Sequence, residues 1–270
     1  MKTINSLSGG KTSSYMAMHY PADYNIFSLV TINEAKASPK DSKLIQYVSD
    51  KIGEEFIATA EDDDTLVVIR DLEQMLGSEI IWAVGESFDN VINKAGNYLP
   101  NKLRRFCTQE MKMRPIFDWW FKNICEKVRM GIGYRYDEME RADRFTTSFK
   151  GVVGKRGTQN KWDTIEWREG YFPLIENKII HPTIVKWANK SGLNFPSDSN
   201  CIGCFHKHPQ QLRKNWEQHP EKYQWFADIE QKSKGTWKEN DTYERIKTYP
   251  KQMDFEFGEG AGCNAGFCTD

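Results

Sequence analysis

Thr3-Ile4-Asn5-Ser6-Leu7 has extended character and runs directly into Ser8-Gly9-Gly10-Lys11-Thr12-Ser13, after which a helical pattern begins near Ser14. This junction of strand, glycine pair and helix N-terminus constrains the fold more than any other segment. Glycine lets the backbone turn sharply and approach a ligand closely. The helix start presents free N–H groups and the positive end of its dipole. Lys11 adds a full positive charge, and the hydroxyls of Ser8, Thr12 and Ser13 add donors. The segment reads as an anion cradle for a phosphate, carried as part of a nucleotide. A Walker A loop needs a further Gly separated by four residues from the Gly-Lys pair; Asn5 stands there, so the loop is of another kind.

Downstream the pattern alternates. A mostly apolar strand is expected over residues 25–32. A helix follows over 38–51, with Pro39 early and Leu44, Ile45 and Val48 on one face. A short strand is expected over 55–58. Residues 65–76 place Val68, Ile69, Leu72, Met75 and Leu76 at helical spacing, and Gly77 stops that helix. Strands at 80–84 and 128–132 flank a helix over 113–125. Strands alternating with helices predict an α/β fold with a doubly wound, mainly parallel sheet. Ligands of such sheets bind beyond the carboxyl ends of the strands. Residues 8–13, Asn33 with Glu34, and 133–141 all follow strands and are expected to converge at one sheet edge.

Residues 145–167 are rich in Lys, Gly, Thr and aromatics and read as an irregular or β-hairpin insertion. From His181 the pattern turns helical and Trp-rich. The expected organisation is a nucleotide-binding domain over 1–170 and a helical, Cys-containing subdomain over 171–270. Trp216, Tyr223, Trp225 and Phe226 fall at helical core positions. No internal repeat is evident.

The chain of 270 residues carries Lys+Arg 37 against Asp+Glu 38, so global charge gives no support for bulk nucleic-acid binding. The basic stretch 150–168 is a local exception that could contact a phosphate backbone. No apolar run is long enough to cross a membrane, and the first residues lack a signal-peptide pattern. A cytoplasmic protein without membrane partners is expected. Six cysteines are present, at positions 107, 125, 201, 204, 263 and 268. In a reducing compartment, close Cys pairs point to metal or redox chemistry before structural disulfides. Cys125, inside an apolar helix with Trp119, Trp120 and Phe121, is expected to be a buried small residue.

Ser8-Gly9-Gly10-Lys11-Thr12-Ser13 resembles the PP-loop of ATP pyrophosphatases, commonly Ser-Gly-Gly-x-Asp-Ser, with Thr12 in the Asp position. Arg105-Phe106-Cys107-Thr108, followed by Lys112 and Pro115, resembles the Arg-x-Cys-Thr-x-x-x-Lys-x-x-Pro signature of the phosphoadenosine phosphosulfate (PAPS) reductase family. Gly133-Tyr134-Arg135, Glu138 and Arg141 resemble its Gly-x-Arg…Glu-x-x-Arg segment. Asn200-Cys201-Ile202-Gly203-Cys204 resembles a Cys pair of its cluster-bearing and phage-type members. The motifs span roughly residues 3–230 in family order.

The resemblance implies a PP-loop sheet and an adenine nucleotide, ATP or PAPS, held by residues 8–13. Lys11 would neutralise phosphate charge, and Arg105, Lys112, Arg135 and Arg141 could grip a sulfate or second phosphate, beside Gly133. Glu138 would orient Arg135 or Arg141 through an ion pair. Asn33 stands where relatives place residues near the nucleoside.

Cys107, Cys201, Cys204 and Cys268 are candidate ligands of a [4Fe–4S] cluster, with Cys263 an alternative fourth; His206 and His208 could join a zinc site instead. Cys263 and Cys268 are candidate nucleophiles, and Lys11 a candidate catalytic cation.

Three activities follow from these readings. One is ATP cleavage between the α- and β-phosphates, with adenylation coupled to sulfur transfer, as in relatives that thiolate tRNA or DNA. The intact loop favours this version. The second is thiol-dependent reduction of PAPS or APS with release of sulfite. The third is a non-catalytic nucleotide- or nucleic-acid-binding module. Candidate partners are a tRNA or DNA acceptor, a sulfur donor or thiol reductant protein, and a second copy of the chain.

Overall fold

A computed structural model describes residues 1–198 and 200–250. Its centre is a five-stranded sheet ordered β5-β2-β1-β6-β9, with β1 Thr3–Leu7, β2 Tyr24–Leu29, β5 Ile80–Val84, β6 Val128–Gly131 and β9 Arg168–Tyr171. Every neighbouring pair is parallel. The chain is therefore an α/β protein with an all-parallel central sheet. Strand order reverses at β1: later strands add outward through β2 and β5 on one side, and through β6 and β9 on the other. Such a reversal opens a crevice between the two loops that leave the central pair in opposite directions.

Both sheet faces are covered. Leu7, Phe27, Leu29, Ile80 and Trp82 pack with residues of α1 (Lys11–His19), α2 (Ser42–Ile52) and α3 (Asp63–Leu76). Ile4, Ile26, Ala83, Val128 and Met130 pack with Ile116, Phe117 and Trp120 of α6 (Arg114–Asn123). Neighbouring positions such as Ile26 and Phe27 fall in opposite layers, as the period-two geometry of a strand requires.

Several boundaries differ from the sequence reading. The run 25–32 breaks at Val30, and β3 (Thr31–Ile32) leaves the main sheet to pair antiparallel with β4 (Ala58–Thr59). Val30 O holds this bend, accepting from Ala60 N at 3.1 Å and Thr59 Oγ1 at 2.8 Å. The strand expected at 55–58 is thereby displaced to Ala58–Thr59. Asp41 caps α2 through Lys43 N, so that helix begins after Pro39. Gly77 closes α3 in the left-handed conformation, as expected. A short helix, α4 (Phe88–Lys94), follows β5.

Cys125 corrects an expectation. Here α6 ends at Asn123, and Cys125 takes a left-handed φ of 57° in the turn to β6, where the residue is exposed. Its N–H donates to Trp120 O at 3.0 Å, which fixes that turn.

Residues 145–167 form the hairpin alternative: β7 (Ser148–Arg156) pairs antiparallel with β8 (Gln159–Glu166). Gly170, the expected domain boundary, lies inside β9 opposite Met130. Beyond it come α7 (Pro173–Glu176), α8 (His181–Ala188), α9 (Pro209–Gln218), α10 (Pro220–Lys232) and α11 (Tyr243–Lys247). Tyr223, Trp225 and Phe226 are buried there with Val30, Ile32, Ala58 and Ala60, and Trp216 is half-buried. The C-terminal helices thus hold the β3–β4 bend from outside. Among the described residues, no helix is long and apolar enough to cross a membrane.

Candidate nucleotide site

The loop after β1 is tighter than its composition alone requires. Gly9 has φ +69°, a conformation costly for residues with a Cβ. A Cβ added there would stand 2.4 Å from Thr65 Cγ2, in the first turns of α3. Gly10 precedes α1 with an ordinary extended φ of −92° and has no side chain to cap the helix. The helix begins at Lys11, three residues earlier than the pattern suggested, so Lys11, Thr12 and Ser13 form its first turn. Ser13 Oγ accepts from Ser8 N at 3.1 Å and donates to Gly10 O at 3.1 Å, tying the two ends of the loop together. Its role is to shape the loop, leaving the α1 terminus toward the crevice.

The facing loop follows β6. Gly133 packs against the first turn of α1; a Cβ there would sit 3.3 Å from Thr12 Cγ2 and 3.4 Å from Ser13 Cα. Arg135 Nη1 reaches Thr12 Oγ1 at 3.4 Å. Glu138 holds both arginines, with Oε1 3.2 Å from Arg135 Nη2 and 2.9 Å from Arg141 Nη1. The Arg141 guanidinium also lies 4.6 Å from the Tyr134 ring centroid. Glu138 is therefore the positioning carboxylate of the pair.

These loops enclose a cleft of about 180 Å³ at the strand reversal. Ser8, Gly10, Lys11, Thr12, Ser13, Lys112, Gly133, Arg135 and Arg141 all line it. Lys11, Lys112, Arg135 and Arg141 thus share one cavity with a helix N-terminus, the arrangement that suits a polyanion.

Glu61 is a wall residue that the sequence reading missed. It is 3% exposed, and Lys112 Nζ donates to its Oε1 at 3.0 Å. Lys222 of α10 fixes the segment, donating to Thr59 O at 3.0 Å, Glu61 O at 2.6 Å and Asp63 Oδ1 at 2.7 Å. Asp62 caps α3 through Asp64 N and meets His219 Nε2 at 3.2 Å. The acidic run Glu61-Asp62-Asp63-Asp64 was the available signal. Trp167, Arg168, His181 and Asp198 also line the cleft, Asp198 pairing with the fully buried Lys207.

Three expected residues stand apart from the cleft lining. Gly9 is turned against Thr65. Asn33 donates through its backbone to Asp89 Oδ2 at 2.8 Å and through Nδ2 to Ser87 Oγ at 3.0 Å. These bonds hold it in a separate hollow with Glu54, Glu55 and Glu86. Asn33 thus lies outside the lining of the cleft that the 8–13 loop shares, because β3 carries it away from the main sheet. Arg105 precedes the short helix α5 (Phe106–Thr108) and lies near the thiols, where its charge acts on Cys107.

Cys107, Cys201 and Cys204 share a neighbourhood. Burial pushes the Cys107 thiol up to about 11, with Cys204 adding to the rise and Arg105 and Lys112 opposing it. Burial raises Cys201 well above its ordinary value, and Glu61 adds to that rise. The Cys201 loop is anchored beside Glu61 by Ile202 N donating to Ala60 O at 2.8 Å. Tyr243 OH donates to Gly203 O at 2.9 Å, and Asn215 Nδ2 to Ile202 O at 2.8 Å. Three thiols are a donor set that iron–sulfur clusters and zinc take. Among the described residues, however, no three His, Cys, Asp or Glu side chains stand together at metal-binding spacing. The described residues by themselves do not fit a closed metal centre, and no chemical step is routed through one. Cys263 and Cys268 lie outside the described residues.

No protein-family model, no curated protein and no solved structure matched this chain.

Proposed function

We propose that this chain is an adenine-nucleotide-dependent enzyme that cleaves ATP between the α- and β-phosphates and couples adenylation to sulfur transfer. The observation that carries the reading is the meeting of the 8–13 loop with Lys112, Arg135 and Arg141 around one cleft at the strand reversal. The preference for adenine rests on the sequence resemblance.

In this reading the α1 terminus and Lys11 hold phosphate oxygens and stabilise the charge that develops on departing pyrophosphate. Arg135 and Arg141, held by Glu138, grip the remaining oxyanion. An acceptor oxygen attacks the α-phosphorus, the bond to the β-phosphate bridge breaks, and pyrophosphate leaves. A sulfide-level sulfur donor then attacks the acceptor atom that bears the adenylated oxygen, and AMP leaves with that oxygen.

The intact Gly-Gly-Lys-bearing loop favours ATP cleavage over PAPS reduction. The thiolate that attack on sulfur needs would come from Cys263 or Cys268, which lie outside the described residues. The thiol neighbourhood, completed by a ligand from outside the described residues, is the candidate place for the iron–sulfur cluster that the resemblance favours, or for zinc in its stead. Metal analysis of anaerobically purified protein tests this part; absence of both iron and zinc removes the metal from the proposal.

The deciding experiment measures pyrophosphate release from ATP with and without tRNA or duplex DNA, and sulfite release from PAPS with a thiol reductant. Pyrophosphate release is expected. Sulfite without pyrophosphate would assign a reductase. Neither product, with nucleotide still bound, would assign a binding module.

A further inference from the structure

The β7–β8 ribbon takes no part in the cleft chemistry, yet its surface is specialised. Residues 154–164 are exposed without interruption. From Arg144 to Trp162 the chain carries Arg144, Lys150, Lys155, Arg156 and Lys161 and no acidic residue, in a protein of net charge −1. The ribbon is anchored at its base. Phe149 packs on Phe117 at 5.0 Å between ring centroids, and Arg114 lies 5.4 Å from the Phe149 ring and 5.1 Å from that of Trp162. A two-stranded ribbon is marginally stable by itself in water. An exposed ribbon whose outer part, residues 154–162, carries only cationic charge, with Asp163 and Glu166 further down β8, fits a polyanionic partner.

The register sharpens the partner. Lys155 stands opposite Asn160, Arg156 opposite Gln159, and Gly154 opposite Lys161. Cross-strand partners share a face and successive pairs alternate, so Lys155 and Asn160 lie on one face, and Arg156, Gln159 and Lys161 on the other. A ribbon charged on both faces suits a groove with phosphate on both walls. The B-DNA major groove, about 12 Å wide, admits a two-stranded ribbon, and Arg, Asn and Gln are the side chains that pair with its purine edges. The A-form RNA major groove is too narrow for side chains to read. We infer that the β7–β8 ribbon is a DNA-binding arm that enters the major groove of duplex DNA tip first. Lys155, Arg156 and Lys161 meet phosphates, and the tip residues Arg156, Gln159 and Asn160 are within reach of base edges.

Fluorescence anisotropy of the full chain with a labelled DNA duplex tests this without reference to nucleotide turnover. Replacing Lys155, Arg156 and Lys161 together (Lys155→Glu, Arg156→Glu, Lys161→Glu) is expected to weaken duplex DNA binding roughly tenfold or more. The slope of log affinity against log salt should flatten by about 0.9 for each phosphate that the variant no longer neutralises. ATP binding by the triple variant should match that of the unaltered chain, which also establishes that it folds. Three results would overturn the inference: no DNA binding at moderate salt, unchanged binding by the triple variant, or equally tight ribbon-dependent binding of duplex RNA of the same sequence.

Discussion

The Lys112 ammonium lies 3.0 Å from Glu61 Oε1, joining the segment after Cys107 to the loop after β4 at the wall of the phosphate cleft. Glu61 is 3% exposed and its second oxygen, Oε2, is buried without a hydrogen-bond partner among the described residues. A buried carboxylate in this state depends on the cation beside it. The pair therefore locks together the Cys107 helix, the Cys201 loop and the cleft.

Removing the cation should expose that dependence. Lys112→Met is expected to destabilise the fold by about 1–3 kcal/mol, because it leaves a buried acceptor uncompensated. Replacing both partners (Glu61→Gln with Lys112→Met) should recover much of the loss, since an apolar or neutral pair needs no such compensation. Urea denaturation of the two variants and the parent checks this. Equal loss in single and double variants would show that the pair is not coupled.

Lys11 opens α1 on the cleft and carries the charge that the loop's backbone donors lack. Lys11→Ala should weaken ATP binding by roughly 1.5–3 kcal/mol, the worth of a charge-assisted hydrogen bond. Thermal stability should change little. Isothermal titration reads the first quantity, and an unchanged dissociation constant would remove Lys11 from the site.

Gly9→Ala meets two separate obstacles. The φ of +69° costs about 1–2 kcal/mol for a residue with a Cβ. The new Cβ would also lie 2.4 Å from Thr65 Cγ2. Thr65→Ser deletes that methyl, so adding it to Gly9→Ala should restore part of the stability and of the ATP affinity. Full restoration would mean that the backbone conformation contributes nothing.

The parts legible in the sequence were those set by local rules. The β1 loop, β5, β6 and α3 follow from apolar periodicity and glycine punctuation, and the ends of β1 and β6 were enough to bring Lys11 and Arg135 to one place. Long-range partners decided the rest. Val30 breaks the second strand because Ala60 and Thr59, some thirty positions away, take its carbonyl. That break removes Asn33 from the cleft. Glu61 reaches it because Lys222 grips the backbone of that segment at Thr59 and at Glu61 itself. Cys125 is exposed because its helix stops two residues early. None of these follows from spacing within a window of a few turns.

Thiol reactivity provides a check on the cysteine neighbourhood. In reduced, metal-free protein, Cys125 is exposed while Cys107 is pushed up to about 11 by burial. Alkylation by iodoacetamide at mildly alkaline pH, mapped by mass spectrometry, should modify Cys125 before Cys107. The Cys107 rate should keep rising with pH toward about 11. Comparable rates at the two positions at mildly alkaline pH would contradict the burial of Cys107.

His206 should make the fold sensitive to mild acid. Burial, with Arg105, Lys102 and Lys238 nearby, pushes its imidazole down to about 4. The unfolded chain binds that proton near the ordinary histidine value of about 6.5. Between these values the unfolded state holds more protons than the folded one, so stability rises with pH and falls on acidification. The neutral imidazole's contribution is complete above about 6.5, declines through the window, and levels off below about 4. Carboxylates also titrate toward the acid end, so the comparison of interest is between the parent and His206→Gln. On acidification from about pH 7.5 to about pH 5, a span that crosses the unfolded histidine value, the parent should lose more stability in urea than the variant does. Parallel pH profiles would mean that His206 accepts its proton equally in both states.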